Sequence, residues 1–133
     1  MDAVCHRDLR LSGPLMVKLY SNCIEISSND GFIGGISPDN ILYYQSVSRN
    51  PLLVEALTRL RLVNRTNFGI SRMFSTKLME GKAPPVTRES GESVTIVFFR
   101  REPHPAFRAF VTEENTAGRD LSMDSLTILQ YLY

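Results

Sequence analysis

The stretch PLMVKLYSNCIEIS, residues 14–27, decides the fold of this chain. Apolar side chains recur at alternate positions before and after the dipeptide Ser21-Asn22, whose residue types are typical of a tight turn. Successive side chains of a β-strand point to opposite faces, so this alternation favours two strands over a helix. The stretch therefore predicts a β-hairpin with apolar positions at Leu15, Val17, Leu19, Ile24 and Ile26.

A second stretch with the same pattern lies at residues 86–99, VTRESGESVTIVFF. Val94, Ile96 and Phe98 alternate with other side chains, and Ser90-Gly91 marks the turn. Two hairpins of this kind predict a mostly antiparallel sheet.

Two helices are predicted between the hairpins. In RNPLLVEALTRLRLV, residues 49–63, Asn50 is placed to cap the helix and Pro51 suits its first turn. The second helix is FGISRMFSTKLMEG, residues 68–81, and Gly81 ends it. Each has an apolar stripe at helical spacing: Leu53, Ala56, Leu57 and Leu60 in the first, and Ile70, Met73, Phe74 and Leu78 in the second.

Three further segments have weaker helical signals. SPDNILYY, residues 37–44, predicts a short helix capped by Ser37 with Pro38 at its first position. Residues 2–8 are typical of the end of a helix. The last segment, residues 121–133, predicts an amphipathic helix that Ser122 caps, with no partner element in this chain.

These elements predict an α+β fold, a two-layer α/β sandwich in which helices cover one face of the sheet. The hairpins and the helices that carry Leu57 and Phe74 would supply the core. We divide the chain into a domain at residues 1–102, a linker at 103–120, and a helix at 121–133. Because both ends look like cut helices, we expect the chain to be an excised piece of a longer protein.

The composition excludes several classes of protein. The chain has 133 residues, a net charge of +1 and 43% hydrophobic residues, which is typical of a folded soluble domain. No apolar run approaches the roughly 20 residues of a membrane span, so we expect a cytoplasmic protein without a membrane partner. Cys5 and Cys23 suggest neither a disulfide framework nor a zinc site, and Cys23 is predicted to be a core residue.

The charge is unevenly distributed, since the middle of the chain is basic and the last third is acidic. The basic middle is either a face for nucleic acid or a partner domain, or a solvated helix surface. The candidate residues are Arg49, Arg59, Arg61, Arg65 and Arg72.

No sequence motif identifies a catalytic residue or a metal ligand. The patterns GxxxxGK[ST], GxSxG and HExxH are absent. His6, Arg7 and Asp8 either contact a phosphate or metal, or end a helix, where the cations favour its dipole and Asp8 pairs locally. The loop SNDGFIGGISPDN, residues 28–40, holds three glycines that serve either as backbone hinges or as a phosphate cradle: Gly31, Gly34 and Gly35.

Several of these segments together resemble a known family. DAVCHRDLRLSGP, the glycine loop with its SPDN ending, SRNPLL and FGISRM follow the order and spacing of the "putative ATP-dependent DNA helicase RecG C-terminal" family, over residues 2 to about 100. That family is similar to the nucleotide-binding half of the histidine-kinase and gyrase-type ATPases. Its members usually lie between an AlbA-like domain and a winged-helix segment in proteins called putative transcriptional regulators.

The resemblance implies a candidate nucleotide site and also three departures from it. Asp2 stands where the related ATPases place a metal-binding Asn, the glycines after Asp30 are displaced from the adenine-binding box, and Asn67-Phe68 replaces the Gly-Thr of a second glycine box. The site residues that the resemblance implies for a nucleotide are Asp2, His6, Asp30, Gly31, Gly34 and Gly69.

We therefore expect a non-catalytic regulatory or interaction domain of a bacterial transcriptional regulator, with no catalytic residue, no metal ligand and no required cofactor. The helix at residues 121–133 would be the first helix of a winged helix. The alternatives are an ATP-binding domain, with ATP and magnesium as cofactors, and a fragment that binds DNA directly. The expected partners are the flanking AlbA-like and winged-helix domains, DNA through the full-length protein, and a second copy in a homo-oligomer.

Overall fold

The computed structural model describes residues 2–45, 47–63, 69–100, 102 and 104–132. Five helices and four strands occur in these residues, so the predicted α+β class is confirmed. In chain order they are α1 (Asp2–Cys5), β1 (Met16–Leu19), β2 (Cys23–Ser28), α2 (Pro51–Arg59), α3 (Gly69–Met79), β3 (Val86–Ser90), β4 (Ser93–Phe99), α4 (Pro105–Thr116) and α5 (Met123–Leu132).

The two predicted hairpins are both present and join into one antiparallel sheet. Its strand order is β1-β2-β4-β3, so the second strand of each hairpin lies at the centre. Met16 of β1 lies opposite Ser27, and Cys23 of β2 lies opposite Phe99. Cys23 is buried, as its place in the strand pattern predicted. The hairpin turns are therefore well encoded locally, and the sheet follows from pairing their inner strands.

Helix α2 is shorter than its apolar pattern predicted. It ends after Arg59, where Leu62 donates its N–H to the carbonyl of Leu57 and Arg61 donates to Thr58. Arg61 has a φ of +57°, which is the left-handed conformation that closes such a helix end. The same closure at the end of α3 uses Gly81, with a φ of +71°, as the sequence predicted.

The short helix predicted at residues 37–44 is not formed, and this prediction was wrong. The segment makes consecutive turns in which Asn40 and Ile41 both donate to the carbonyl of Ser37. The side chain of Asn40 accepts the Ser37 N–H at 2.7 Å and donates to the Gly35 carbonyl at 2.9 Å. These side-chain bonds tie the turns to the end of the glycine loop.

Residues 103–120 were predicted to be a linker, but α4 occupies most of this segment, so the prediction was wrong for its secondary structure. Pro105 stands in the first turn, and Phe107 and Val111, one helical turn apart, are each 1% exposed. They form the apolar helical cluster, which consists of Leu78, Phe107, Val111 and Leu126. The sequence did not indicate this helix, because its apolar stripe has only a few members among prolines and charged residues.

The apolar helical cluster also corrects two other predictions. Helix α5 does have a partner, because its Leu126 packs with Leu78 of α3 and with α4. The side chains of this cluster and Val97 of β4 are each at most 1% exposed, whereas Leu57 and Phe74 are only half-buried. The predicted cap of α5 is confirmed, since Ser122 Oγ accepts the Ser125 N–H at 3.1 Å.

Candidate functional site

A cavity of about 390 Å³ lies beside the glycine loop, within the size range of small-molecule sites. Helix α1, the loop after β2, the first turn of α3 and one face of the central strands all contribute to its wall. The strand face is apolar, and its side chains are Ile26, Val94 and Ile96. The cavity thus combines an apolar wall with a small set of polar groups from separate parts of the chain.

Asp30 is the buried carboxylate of this cavity. It lies two residues after Ser28, the last residue of β2, and only 4% of its surface is exposed. Its Oδ2 accepts the backbone N–H of Asp8 at 2.6 Å, and its Oδ1 accepts the hydroxyl of Ser28. A carboxylate has about four acceptor positions, so Asp30 keeps acceptor capacity beyond these two bonds.

Arg49 ties the glycine loop to the segment after α1. Its side chain is 15% exposed, with Nη2 donating to the Gly31 carbonyl at 2.6 Å and Nη1 lying 3.3 Å from Asp8 Oδ2. Asn50 adds two bonds from its amide nitrogen, to the carbonyls of Cys5 at 3.0 Å and Arg7 at 2.6 Å.

We call Asp8, Asp30, Arg49 and Asn50 the polar clasp. Asn50 stands at the N-cap position of α2, as the sequence predicted, but its side chain makes no cap bond. The amide is used instead to join α1 to the start of α2. The clasp therefore fixes three separate segments around the cavity.

The carboxyl of Asp8 is held in its charged form. Hydrogen bonds from the Arg10 side chain and backbone, together with the Arg49 charge, hold the pKa of Asp8 well below its usual range. Nη2 of Arg10 lies 2.8 Å from Oδ2 of Asp8, but the Arg10 side chain is 88% exposed, whereas that of Arg49 is largely buried. The local pairing of Asp8 that the sequence suggested is thus present, and Arg49 extends it across the fold.

The glycine loop supplies both backbone turns and cavity wall. Gly34 and Gly35 have φ values of +64° and +82°, a conformation that side chains disfavour. Gly31 lines the cavity and presents its carbonyl to Arg49. Gly34 and Gly35 therefore serve as backbone turns, and Gly31 forms part of the cavity wall.

The first turn of α3 forms another part of the wall. Gly69, Ile70, Ser71 and Arg72 all line the cavity. The first N–H groups of a helix lack intrahelical partners and carry a partial positive charge, which favours anions. Arg72 adds a full positive charge on the same turn, so this side of the cavity is electropositive.

Four of the six predicted nucleotide residues line one cavity: His6, Asp30, Gly31 and Gly69. Gly34 lies in the same loop, outside the lining, and Asp2 is the first residue of α1. Of the predicted basic face, Arg49 and Arg72 line the cavity, Arg59 pairs with Glu55 at 2.7 Å, and Arg61 closes α2. Arg65, Asn67 and Phe68 lie outside the described residues.

Sequence analysis missed the part that Ser28 and Arg49 play in the cavity. Ser28 ends a strand, and its hydroxyl carries no distinguishing pattern. Arg49 was noted only as one of several cations. The described residues contain no cluster of three His, Cys, Asp or Glu side chains that could hold a metal ion. In the same residues, no helix combines the length and apolar character of a membrane span.

Comparison with known proteins identifies the family of the chain. The model of the family "Putative ATP-dependent DNA helicase recG C-terminal" matches residues 13–98, and the chain belongs to that family. No curated protein matches the chain. A crystal structure of the DIP2311 protein from Corynebacterium diphtheriae is similar, with a TM-score of 0.82 and 25% sequence identity. The match covers 98% of this chain and 28% of that protein's chain.

Proposed function

We propose that this member of the RecG C-terminal family is a non-catalytic regulatory domain that binds a nucleotide without hydrolysing it. The observation that carries the proposal is the buried carboxylate of Asp30 in the wall of a 390 Å³ cavity. Arg72 and the first turn of α3 line the same cavity and carry positive charge. A nucleotide has a planar base and an anionic phosphate chain, and such a cavity offers a suitable surface to each.

The base would lie at the Asp30 side of the cavity. The acceptor capacity left on Asp30 suits an exocyclic amino group, which is a hydrogen-bond donor. Ile26 and Ile96 offer an apolar wall against which a planar ring can pack. Since the Asp8 N–H and the Ser28 hydroxyl already fix the carboxylate, little conformational freedom is lost when it binds a ligand.

The phosphates would lie at the first turn of α3. Its free N–H groups and the Arg72 side chain both favour anions. Of the two described arginines that line the cavity, Arg49 is already paired with Asp8, which leaves Arg72 for an anionic ligand. Arg72 and the first turn of α3 lie together, so the support for an anion comes from this part of the wall.

The same list of groups argues against hydrolysis. Activation of a water molecule needs a general base within hydrogen-bond reach of it. The proposal assigns the remaining acceptor positions of Asp30 to the base, and the described lining has no second carboxylate to act as the general base. His6 also lines the cavity, and a phosphate-release assay with wild type tests whether it activates water. The proposal therefore assigns binding alone to the cavity.

The regulatory part of the proposal is supported by what the family resemblance implies. We propose that the chain works within a larger bacterial transcriptional regulator, between an AlbA-like domain and a winged helix that starts at α5. Its match spans 28% of the structurally similar DIP2311 chain, which is consistent with a module of a longer protein. DNA would be bound by the full-length protein, and the nucleotide would report a cellular state to it.

Thermal unfolding with ATP, ADP and adenosine, with and without magnesium, tests the proposal. Wild type should show a saturable rise in melting temperature, since a ligand at 100 times its Kd stabilises the folded state by about 2.7 kcal/mol. Asp30→Asn keeps the shape of the side chain and should lose most of the rise. Glu92→Ala, in the exposed turn between β3 and β4, is the matched control and should keep it.

Two results would overturn the proposal. Absence of a saturable shift with all three ligands would remove nucleotide binding. Release of phosphate from ATP by wild type, lost in Asp30→Asn, would show that the domain is catalytic. Circular dichroism of each variant separates loss of binding from loss of folding.

A further inference from the structure

A second concave surface lies beside β1, at one edge of the sheet. Its floor is formed by large apolar side chains from β1, β2, α3 and β4, and it encloses about 780 Å³. Leu19 is 76% exposed, Tyr20 48% and Met79 46%. We call this surface the β1 groove, with the apolar residues Leu19, Tyr20, Ile24, Met79, Phe98 and Phe99. None of them lines the nucleotide cavity.

The β1 groove borders a strand with an open edge. In the described residues β1 pairs with β2 alone, because the strand order is β1-β2-β4-β3. The Tyr20 N–H donates to the Cys23 carbonyl at 2.8 Å, so Tyr20 and Lys18 direct their backbone groups toward β2. Backbone direction alternates along an antiparallel strand, which leaves the N–H and C=O of Val17 and Leu19 directed outward.

An edge of this kind invites another strand. Exposed strand edges that carry apolar side chains are templates for pairing with a further chain. Every residue of β1 is exposed, including Val17 at 56%. Binding by strand addition joins the backbone of a partner to the outward groups, while the neighbouring groove receives alternate side chains.

The charges around the groove select the chemistry of the partner. Four cations line it, Lys77, Lys82, Arg100 and Arg108, against two carboxylates. One of these, Glu80, is already paired with Lys82 at 2.8 Å and with Lys77 at 3.9 Å. Among the described residues, Arg100 and Arg108 form no ion pair, so the groove offers two guanidinium groups to an anionic partner.

A second copy of this chain fits the edge poorly. The antiparallel register that uses the outward groups of both copies places Val17 opposite Leu19 of the other copy, and Lys18 then lies directly opposite Lys18. Like charges at directly opposed positions destabilise strand pairing. Lys18 thus acts against self-association and favours a carboxylate in the opposing strand.

We propose that β1 accepts a fifth strand from an acidic segment of a partner protein. The segment is extended, and its side chains alternate between the two faces of the sheet. On the groove face it places an apolar side chain against Leu19 and a carboxylate within reach of Arg100 and Arg108, and on the other face it places a carboxylate opposite Lys18. Main-chain bonds supply the attachment, and the carboxylates supply the selectivity. This inference is independent of nucleotide binding, because it uses none of the cavity residues.

The probe is a fluorescein-labelled peptide of alternating Val and Glu with a Glu-Glu pair at one end, so that both faces of the strand carry a carboxylate. Anisotropy measures its binding to the whole chain. Val17→Pro removes one outward N–H and should abolish binding, because Pro is tolerated at strand edges but cannot donate. Val17→Ala removes the side chain and keeps the N–H, so its affinity should fall only a few-fold. A peptide of alternating Lys and Val should not bind.

The charge part of the proposal has its own variant pair. Arg100→Glu with Arg108→Glu should weaken binding at least ten-fold and reduce its dependence on salt. Arg88→Glu, on the exposed strand β3 at the other edge of the sheet, is the matched control and should leave the affinity unchanged.

Three results would overturn the proposal. These are failure of wild type to bind the acidic peptide, equal binding by Val17→Pro and wild type, and equal binding of the acidic and basic peptides. Sedimentation provides a fourth check, because self-association of wild type that Val17→Pro removes would assign the edge to a second copy. Circular dichroism establishes that Val17→Pro is folded before its result is used.

Discussion

The apolar helical cluster and the polar clasp hold this molecule together in different ways. The cluster joins α3, α4 and α5 through four side chains that are at most 1% exposed. The clasp joins α1, the glycine loop and the start of α2 through directed hydrogen bonds beside an open cavity. Buried apolar area stabilises without regard to direction, whereas hydrogen bonds fix the positions of particular atoms. The difference indicates that stability is concentrated in the cluster and positional accuracy in the clasp.

The largest test of this difference is Phe107→Ala in the centre of the cluster. Removal of a buried phenyl ring costs about 3–5 kcal/mol through lost transfer free energy and a residual cavity. Unfolding by denaturant measures the change. Ile128→Ala, also on the helical C-terminal part but 62% exposed, should change the free energy of unfolding by less than about 0.5 kcal/mol. A cost below about 1 kcal/mol for Phe107→Ala would contradict the placement of stability in the cluster.

Asn50→Ala tests the clasp and should have an intermediate effect. It leaves the carbonyls of Cys5 and Arg7 without their side-chain donor, for which we expect a loss of about 1–3 kcal/mol. It should also weaken nucleotide binding in the fraction that is folded, whereas Phe107→Ala should not. Asn115→Ala, at an exposed position of α4, is the control and should be nearly neutral. Equal binding by Asn50→Ala and wild type would separate the clasp from the cavity.

The same contrast explains which features could be predicted from sequence. Hairpins at residues 14–27 and 86–99 depend on alternation and turn residues that are close in the chain, and both were predicted correctly. Helix α4 was missed because Pro105 and several charged residues outweighed an apolar stripe of few members. The contact of Asp8 with Arg49 spans 41 positions, so no local pattern contains it. Asp30 and Gly31 were named as site residues through the family resemblance, and the glycine loop by itself left hinges and a phosphate cradle as alternatives.

A smaller effect is expected for Ser122→Ala at the start of α5. The substitution removes the acceptor of the Ser125 N–H and should cost about 1 kcal/mol, measured by thermal unfolding. Ser122→Asp keeps an acceptor and adds a charge that favours a helix N-terminus, so its stability should equal or exceed that of wild type. A neutral Ser122→Ala would mean that packing of Leu126 alone fixes the start of α5.

The smallest effect at neutral pH is expected for Arg10→Ala, because Arg10 is 88% exposed. Its consequence lies in acid. The pKa of Asp8 is lower in the folded chain than its ordinary value of 3.8, so the unfolded chain binds more protons between these values. The stability that Asp8 contributes is therefore present above about pH 4 and is lost as the pH falls toward the lower, folded pKa.

Arg10→Ala should raise the pKa of Asp8 toward 3.8, though not fully, because the Arg10 backbone N–H and Arg49 remain. Its stability should accordingly fall less than that of wild type when the pH drops from 4 to 2. Carbon NMR titration of the Asp8 carboxyl measures the pKa directly, and Arg59→Ala, whose partner is Glu55, is the control. If Arg10→Ala left the pKa of Asp8 unchanged, the charged state of Asp8 would depend on the buried Arg49. The polar clasp would then keep Asp8 charged without the exposed Arg10 side chain.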